Sequence, residues 1–244
     1  MPAAAFKGKT ILLVEDEALI ALAERRTLER YGFRVRTAAD GAGAVEAASS
    51  PDVDLVLMDI NLGTGIDGTE AAKRILAARD VPLIFLSSHT EREVVERTEG
   101  ITSYGYVVKN SDENVLLASI KMAFRLFEAK VQARAKEERI TLLGRLLDAA
   151  PDSITIHDRT GAFLYANRRT FALHGYSEDE FMALNLHDLD VPESETQIEE
   201  RIRKIRESGE ATFEVTHRRK DGSQLPLEVT VQAADWGGRF AMLS

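Results

Sequence analysis

ILLVED at residues 11–16 and LVLMD at residues 55–59 decide the fold of the first half of this sequence. Each stretch is an unbroken apolar run that ends in carboxylates. Such runs are typical of strands buried on both faces, as parallel strands covered by helices are. The carboxyl ends of parallel strands lie along one edge of their sheet. The two stretches therefore predict a parallel sheet with acidic groups gathered at that edge.

The surrounding sequence repeats this unit. β-branched apolar runs alternate with stretches of helical composition, as in successive βα units. The predicted strands are Ile11–Val14, Phe33–Thr37, Leu55–Met58, Leu83–Leu86 and Tyr106–Val108. The predicted helices are Ala18–Tyr31, Ala42–Ser49, Gly68–Ala78, Glu91–Glu99 and one that begins at Asn114. Five repeats predict a doubly wound α/β domain with a five-stranded parallel sheet.

Composition limits the classes of protein that fit. The 244 residues suit two domains, and the absence of cysteine excludes disulfides, thiolate metal sites and cysteine-linked chromophores. A net charge of -9 disfavours nucleic acid as a partner. The sequence shows neither a signal peptide nor an apolar run near the ~20 residues that span a bilayer. We expect a soluble cytoplasmic protein that binds neither nucleic acid nor membrane.

The acidic groups after the strands predict a metal site. Glu15 and Asp16 follow the first strand, and Asp59 follows the third. Clustered carboxylates repel one another, and a hard cation that keeps several waters, such as Mg²⁺, relieves that repulsion. Ser87 and Lys109 follow the fourth and fifth strands. A hydroxyl and a cation at the same edge predict phosphate-binding chemistry around Asp59.

These residues resemble the receiver domain of two-component response regulators, over about residues 8 to 128. The motifs LLVEDE, LVLMDINL, FLSSH and YGYVVK occur in the family's order and spacing. The resemblance implies a flavodoxin-like fold and transfer of a phosphoryl group from the phosphohistidine of a kinase or phosphotransfer protein. It implies that Asp59 is the phosphoacceptor, and that Asp59, Asp16, the Asn61 carbonyl and Glu15 bind Mg²⁺, Glu15 either directly or through water. It also implies that Lys109 pairs with the phosphoryl oxygens.

The resemblance also implies a switch, in which the Ser87 hydroxyl moves to the phosphoryl oxygens and Tyr106 turns inward. Structural roles compete with this reading, since Ser87 can satisfy a backbone group and Tyr106 can simply pack. The chain departs from the family at Asn110, where proline usually follows the lysine through a cis bond. A cis bond to a residue other than proline costs about 2.5–4 kcal/mol, so a trans bond and a rearranged loop are expected.

A proline-free stretch from Asn114 to Leu147 predicts one long helix. Its apolar positions alternate in steps of three and four, the spacing of a coiled-coil seam. The predicted seam comprises Leu117, Ile120, Phe124, Phe127 and Val131, is interrupted at Arg134 and Glu138, and resumes at Leu142 and Leu146. Dimerisation through this helix, through the domain that follows it or through both is the favoured interpretation. In the alternative, its first half packs on its own sheet and the rest is a solvated linker.

A second domain is predicted after Pro151. Its segments resemble a PAS sensory domain over about residues 140 to 244, carried by HDRTGAFLYANRRTFALHGYSEDEF and FEVTHRRKDGSQLPLEVTV. The turn at Asp221-Gly222 predicts a hairpin, and Ser177 before three acids predicts a helix N-cap. An antiparallel sheet with inserted helices makes an α+β domain.

No PAS ligand can be named from the sequence. A flavin-adduct photosensor is excluded by the absence of cysteine. Haem would need an axial histidine, for which the candidates by residue type alone are His157, His174, His187 and His217. Histidines that are exposed or hydrogen bonded within the domain are the favoured interpretation.

The predicted organisation is a receiver domain at 1–128, a helical linker at 129–150 and a PAS domain at 151–244. Because the sequence stops inside the expected closing strand, we expect the input part of a longer protein, a sensor histidine kinase. A response regulator whose PAS domain binds a partner is one alternative. A Mg²⁺-dependent α/β phosphatase is another, although Asn61 stands where such enzymes have a second aspartate. Beyond the receiver's own phosphorylation, whether the chain is an enzyme stays open.

Overall fold

A computed structural model describes residues 6–63, 65–87, 101, 104–109, 111–191, 203–205 and 207–244. Within it the chain divides into two compact units, Met1–Ala135 and Lys136–Ser244. The expected helix Glu91–Glu99 and the expected trans bond at Asn110 lie outside the described residues. Among the helices that can be assessed, none combines the length and the apolar character needed to cross a membrane.

The first unit is a parallel sheet flanked by helices. Its strands are β1 (Thr10–Val14), β2 (Arg34–Ala38), β3 (Leu55–Asp59), β4 (Leu83–Ser87) and β5 (Gly105–Val108). The helices are α1 (Ala18–Arg30), α2 (Gly41–Ala48), α3 (Gly68–Ala78) and α4 (Glu113–Asp148). The strand order β2-β1-β3-β4-β5 is that of a doubly wound sheet, so the predicted fold class is confirmed.

Burial explains this arrangement. Every residue of β1, β3 and β4 is buried, because helices cover both faces of the sheet. One face packs Met58 and Phe85 into a core with α2 and α3. On the other face, Leu117, Ile120 and Phe124 of α4 join the core. These seam residues of the predicted coiled coil therefore pack on their own sheet, as the alternative interpretation held.

Helix α3 approaches the end of β3 unusually closely. A Cβ built on Gly68 would lie 1.8 Å from the Asp59 carbonyl oxygen, so only glycine fits there. Asp67 caps the helix by accepting a hydrogen bond from the Glu70 N–H at 2.9 Å. The glycine and the cap together fix the backbone that carries Asp59.

The second unit is an antiparallel sheet with short helices inserted between its strands. The strands are β6 (Thr155–His157), β7 (Phe163–Ala166), β8 (Glu210–Arg218), β9 (Gln224–Trp236) and β10 (Arg239–Leu243), in the order β7-β6-β10-β9-β8. The helices are α5 (Arg168–His174), α6 (Glu178–Met182) and α7 (Leu186–Leu189). The predicted hairpin pairs β8 with β9, and the predicted Ser177 cap forms a capping box with Glu180. Both local predictions are confirmed.

Candidate functional site

Strand ends bring the predicted site residues to one edge of the parallel sheet. Asp59 is the last residue of β3, and Glu15 and Asp16 directly follow the neighbouring β1. Ser87 ends β4, and Lys109 directly follows β5. In the strand order of the sheet, β4 lies between β3 and β5. Ser87 on β4 therefore lies between the strand that carries Asp59 and the strand that leads to Lys109.

Lys109 ties two of the carboxylates together. Its Nζ lies 2.7 Å from Asp59 Oδ2 and 2.5 Å from Glu15 Oε2. All three side chains are nearly inaccessible, with exposed fractions of 7% for Lys109, 4% for Asp59 and 0% for Glu15. Hydrogen bonds between charged partners in such surroundings are strong. The ammonium group therefore holds two carboxylates that would otherwise repel each other.

Backbone N–H groups orient the carboxylates further. Asp59 Oδ1 accepts from the Asn61 N–H at 3.2 Å, and Glu15 Oε1 accepts from the Glu17 N–H at 3.3 Å. Asp16 is exposed, and its Oδ2 accepts from the Gly63 N–H at 3.0 Å. Asp16 thus forms the solvent side of the site and Glu15 its buried side.

Burial and the neighbouring charges shift the pKa values of the groups in the site. Burial raises the pKa of Glu15, an effect that the Lys109 ammonium only partly offsets. Burial also acts to lower the pKa of Lys109, but its hydrogen bonds to Asp59 and Glu15 outweigh this, and the pKa is raised. Lys109 therefore stays charged at neutral pH.

The donor set fits a magnesium ion. One carboxylate oxygen from each of Glu15, Asp16 and Asp59 lies within 4.8 Å of the others. Three ionised carboxylates and one ammonium leave two negative charges, which a divalent cation balances. Mg²⁺ takes oxygen ligands and keeps several waters, and the exposed Asp16 leaves room for them.

Comparison with known proteins gives the same two parts. The model of the response regulator receiver domain matches residues 11–121, and that of a PAS domain matches residues 151–242. The transcriptional regulatory protein PdtaR of Mycobacterium tuberculosis is 32% identical over 141 residues, which span 57% of this chain and 67% of PdtaR.

The chain belongs to the response-regulator receiver family. A PAS domain follows the receiver domain. The phosphate regulon regulator PhoB of Klebsiella pneumoniae is 32% identical across 62% of this chain and 65% of PhoB. The solved N-terminal domain of a response regulator/sensory box/GGDEF protein from Carboxydothermus hydrogenoformans is 44% identical, with a TM-score of 0.48; the match covers 50% of this chain and 99% of that domain.

The two predicted switch residues of the receiver domain occupy different environments. Ser87 is fully buried, and its carbonyl accepts a hydrogen bond from the Lys109 N–H at 2.6 Å. Tyr106 is half-buried and packs against the core that contains Met58 and Phe85. The backbone therefore links Ser87 directly to Lys109, whereas Tyr106 lies three residues before Lys109, on β5.

Sequence reasoning missed Glu24 of α1. Its Oε2 is buried and has no hydrogen-bond partner among the residues that the structure describes. Burial, with repulsion from Glu15, raises the Glu24 pKa to about 7. The signal was its helical spacing, because Glu24 precedes Leu28 by four residues and Leu28 is fully buried. Glu24 is thus close enough to Glu15, Asp59 and Lys109 for their charges to act on its pKa.

The PAS histidines differ from one another. His187 is exposed, whereas His157, His174 and His217 are buried and hydrogen bonded within the domain. Asn167 is fully buried and donates from Nδ2 to the Leu147 carbonyl at 2.9 Å and the Asp152 carbonyl at 3.0 Å. Asn167 therefore fastens the last turn of α4 to the PAS domain.

Proposed function

We propose that Asp59 accepts a phosphoryl group from the phosphohistidine of a kinase or phosphotransfer protein, and that the chain is a phosphorelay switch in two-component signalling. The supporting observation is the position of Asp59, which shares one buried crevice with two further carboxylates and the Lys109 ammonium. An Asp59 oxygen attacks phosphorus, and the donor's histidine nitrogen leaves. The product is an acyl phosphate at Asp59.

The groups around Asp59 have separate tasks in this proposal. Glu15, Asp16, Asp59 and the Asn61 carbonyl hold Mg²⁺, which supplies charge neutralisation for the phosphoryl oxygens when it is bound. Lys109 begins on Glu15 and Asp59 and passes to the incoming phosphoryl group. The Gly63 N–H donates to Asp16 and the Asn61 N–H donates to Asp59. These hydrogen bonds keep both side chains fixed while the charge changes.

The response to phosphorylation begins at β4 and β5. The Ser87 hydroxyl turns toward the phosphoryl oxygens, and Tyr106 moves further into the core that it already contacts. Because the Ser87 carbonyl is bonded to the Lys109 N–H, both strand ends respond to the same charge. This is a two-state switch driven by a local change of charge.

The helix α4 carries the change to the PAS domain and dimerises the chain. Its first half is part of the receiver core, and its last turn is bonded to Asn167. Three residues of the predicted seam are exposed between these ends and are the candidates for contact with a second copy, namely Val131, Leu142 and Leu146. Light scattering with and without beryllofluoride and Mg²⁺ tests this seam: a mass of one chain under both conditions contradicts it.

We further propose that the chain is the input part of a cytoplasmic sensor histidine kinase. The charge of -9 favours protein partners over nucleic acid. In the alternative, a response regulator, the PAS domain is itself the output. The coding sequence downstream of Ser244 distinguishes them, because a kinase assignment requires a phosphoacceptor helix and an ATP-binding domain there.

Phosphoryl uptake tests the proposal. The chain is incubated with acetyl phosphate and Mg²⁺, and its intact mass is followed over time. We expect one phosphoryl group per chain, lost slowly by hydrolysis, with none on Asp59→Asn and full uptake on the exposed control Asp80→Asn. Equal uptake by wild type and Asp59→Asn contradicts the proposal, and rapid multiple turnover of small phosphomonoesters supports the phosphatase alternative.

A further inference from the structure

Three ionisable side chains form a buried row in the PAS domain. His174 is the last residue of α5, His217 lies on β8, and Asp190 directly follows α7. Their exposed fractions are 2% for His174, 9% for His217 and 8% for Asp190. We term these three side chains the His–Asp row. Ionisable groups buried this deeply are costly unless their charges and hydrogen bonds are matched.

The His–Asp row runs between two acceptors. At one end, His174 Nδ1 donates to the Thr170 carbonyl at 2.9 Å. In the middle, His174 Nε2 lies 3.0 Å from His217 Nδ1. At the other end, His217 Nε2 lies 3.6 Å from Asp190 Oδ1. A carbonyl and an ionised carboxylate can only accept, so both ends of the row require a proton on the nearest ring nitrogen.

Two neutral imidazoles carry too few protons for this arrangement. Because His174 Nδ1 must hold a proton, a neutral His174 accepts at Nε2, and His217 Nδ1 donates to it. If His217 were also neutral, its Nε2 would direct a lone pair at the Asp190 carboxylate, and the two would repel each other. Three contacts need three protons, whereas two neutral rings supply two. One further proton resolves the conflict.

The neighbouring charges indicate which ring carries that proton. Burial and the Arg219 guanidinium lower the pKa of His174, which therefore stays neutral. His217 instead faces the Asp190 carboxylate, and an opposite charge at this distance favours the protonated ring. The positive charge therefore belongs on His217.

The other elements packed against the row direct apolar groups at it or pair their charges elsewhere. On β9, Leu225 lies opposite His217 in the strand register. On α6, the Phe181 ring lies 5.3 Å from the His174 ring, whereas Glu180 binds Lys220 at the surface. The observed ionic contact of His217 is thus the one with Asp190.

We propose that the His–Asp row holds one extra proton at neutral pH, so that His217 is a buried imidazolium paired with Asp190, and that loss of this proton weakens the PAS domain above neutral pH. The proposal uses PAS residues alone and is independent of phosphoryl transfer.

The ion pair fastens the end of α7 to β8. Asp190 forms a β-bridge with His217, and the Val191 N–H donates to the Thr216 carbonyl at 3.2 Å. An unfolded histidine loses its proton near pH 6.5, about the ordinary value, whereas the folded domain keeps the His217 proton to higher pH. The stabilisation is therefore fully present below pH 6.5 and is lost as the pH rises until the folded domain also loses the proton.

Nitrogen-15 NMR of the imidazoles in the full-length chain measures the charge on His217 directly. At pH 7.5 we expect protons on both His217 nitrogens and on His174 Nδ1 alone, while the exposed His187 is mostly neutral. A neutral His217 at this pH overturns the proposal. So does a His217 that loses its proton at the same pH as His187.

A matched pair of variants tests the role of Asp190. Asp190→Asn removes the carboxylate, and its amide can donate to a neutral His217 Nε2, so two neutral imidazoles then suffice. We expect His217 in Asp190→Asn to lose its proton at lower pH than in wild type. Asp179→Asn, at an exposed position of α6, should leave the His217 titration unchanged. A His217 titration that is the same in Asp190→Asn and wild type overturns the proposal.

Urea unfolding of the same chains, followed by Trp236 fluorescence, measures the effect on stability. Above pH 6.5, the equilibrium constant for unfolding of wild type should rise about tenfold for each pH unit over which the folded domain alone keeps the proton. Asp179→Asn should behave like wild type, and Asp190→Asn should show a flatter profile. A flat wild-type profile overturns the proposal. If Asp190→Asn does not fold, the NMR titration of wild type decides the question.

Discussion

The receiver crevice and the PAS cavity are buried sites made of opposite materials. In the crevice, three carboxylates lie together and two of them contact the Lys109 ammonium, so the excess negative charge favours a bound cation. In the PAS domain, rings and apolar side chains line a cavity of about 730 Å³, among them Phe163, Phe181 and Met242. The first site should therefore respond to ions and phosphate, whereas the second should respond to changes in the packing of its apolar side chains.

The largest expected effect comes from removing a buried ring from the core of the PAS domain. Phe181 is fully buried and contacts the rings of Phe163, Phe171, His174 and Tyr176. Phe181→Ala should lower the free energy of unfolding of the PAS domain by about 3–5 kcal/mol. Urea unfolding followed by Trp236 fluorescence measures this, because Trp236 is the sole tryptophan. The half-exposed Phe240 is the control, and an equal loss in Phe240→Ala contradicts the account.

A somewhat smaller effect is expected on the charged side. Lys109→Met leaves Glu15 and Asp59 facing each other in the interior, which should cost about 3 kcal/mol without Mg²⁺. Mg²⁺ should restore part of this loss, because it neutralises the same carboxylates. Hydrogen exchange of the β1 and β3 amides measures both values, with the exposed Lys73→Met as control. A loss that Mg²⁺ leaves unchanged would show that the carboxylates do not bind the ion.

Glu24 gives a pH-dependent prediction. The Glu24 pKa is about 7 in the folded chain and 4.5 in the unfolded chain. Between these two pH values the unfolded chain has lost the proton that the folded chain still holds, so folding becomes less favourable as the pH rises. Glu24→Gln should therefore stabilise the receiver at pH 8 by about 1–2 kcal/mol, after allowance for its partial exposure, and little at pH 4. Urea unfolding followed by circular dichroism, without Mg²⁺, measures this. Glu46→Gln, at an exposed site, should have no such pH dependence, and the same gain there would contradict the account.

The smallest effect concerns the PAS histidines. Burial lowers the pKa of His157 and His174 below the ordinary value of 6.5, so below that pH the unfolded chain binds protons that the folded domain does not. PAS stability should decline as the pH falls below 6.5, as seen in Trp236 fluorescence. His157→Phe should reduce this slope, whereas the exposed His187→Phe should leave it unchanged. A slope that is equal in all three chains contradicts the account.

The sequence predicted the receiver in more detail than the PAS domain, for a physical reason. Parallel strands buried on both faces appear as continuous apolar runs, and the acids and lysine at their ends are next to those runs in sequence. Strand bounds shifted by one residue at β2, predicted at Phe33–Thr37 and found at Arg34–Ala38. The cavity could not be predicted, because His157, His174 and His217 come together only through long-range sheet pairing.

Two details of the receiver also depended on tertiary packing. The heptad-like spacing of α4 is the same whether its apolar face meets a second helix or its own sheet, and the burial of Leu117, Ile120 and Phe124 decides for the sheet. Glu24 lies at a position whose burial follows from how α1 packs, which helix periodicity alone leaves ambiguous. Local patterns thus identified the elements, and packing determined which of their faces are used.

The most direct test of the central claim is fluorine NMR of the chain with beryllofluoride, a mimic of the phosphoryl group. With Mg²⁺ present, we predict bound fluorine signals that correspond to one beryllofluoride per chain, absent from Asp59→Asn and retained by Asp80→Asn. Removal of Mg²⁺ should abolish the signals, and Lys109→Met should weaken them. Bound signals of equal strength in wild type and Asp59→Asn would contradict the account of the crevice as a phosphoryl-accepting site.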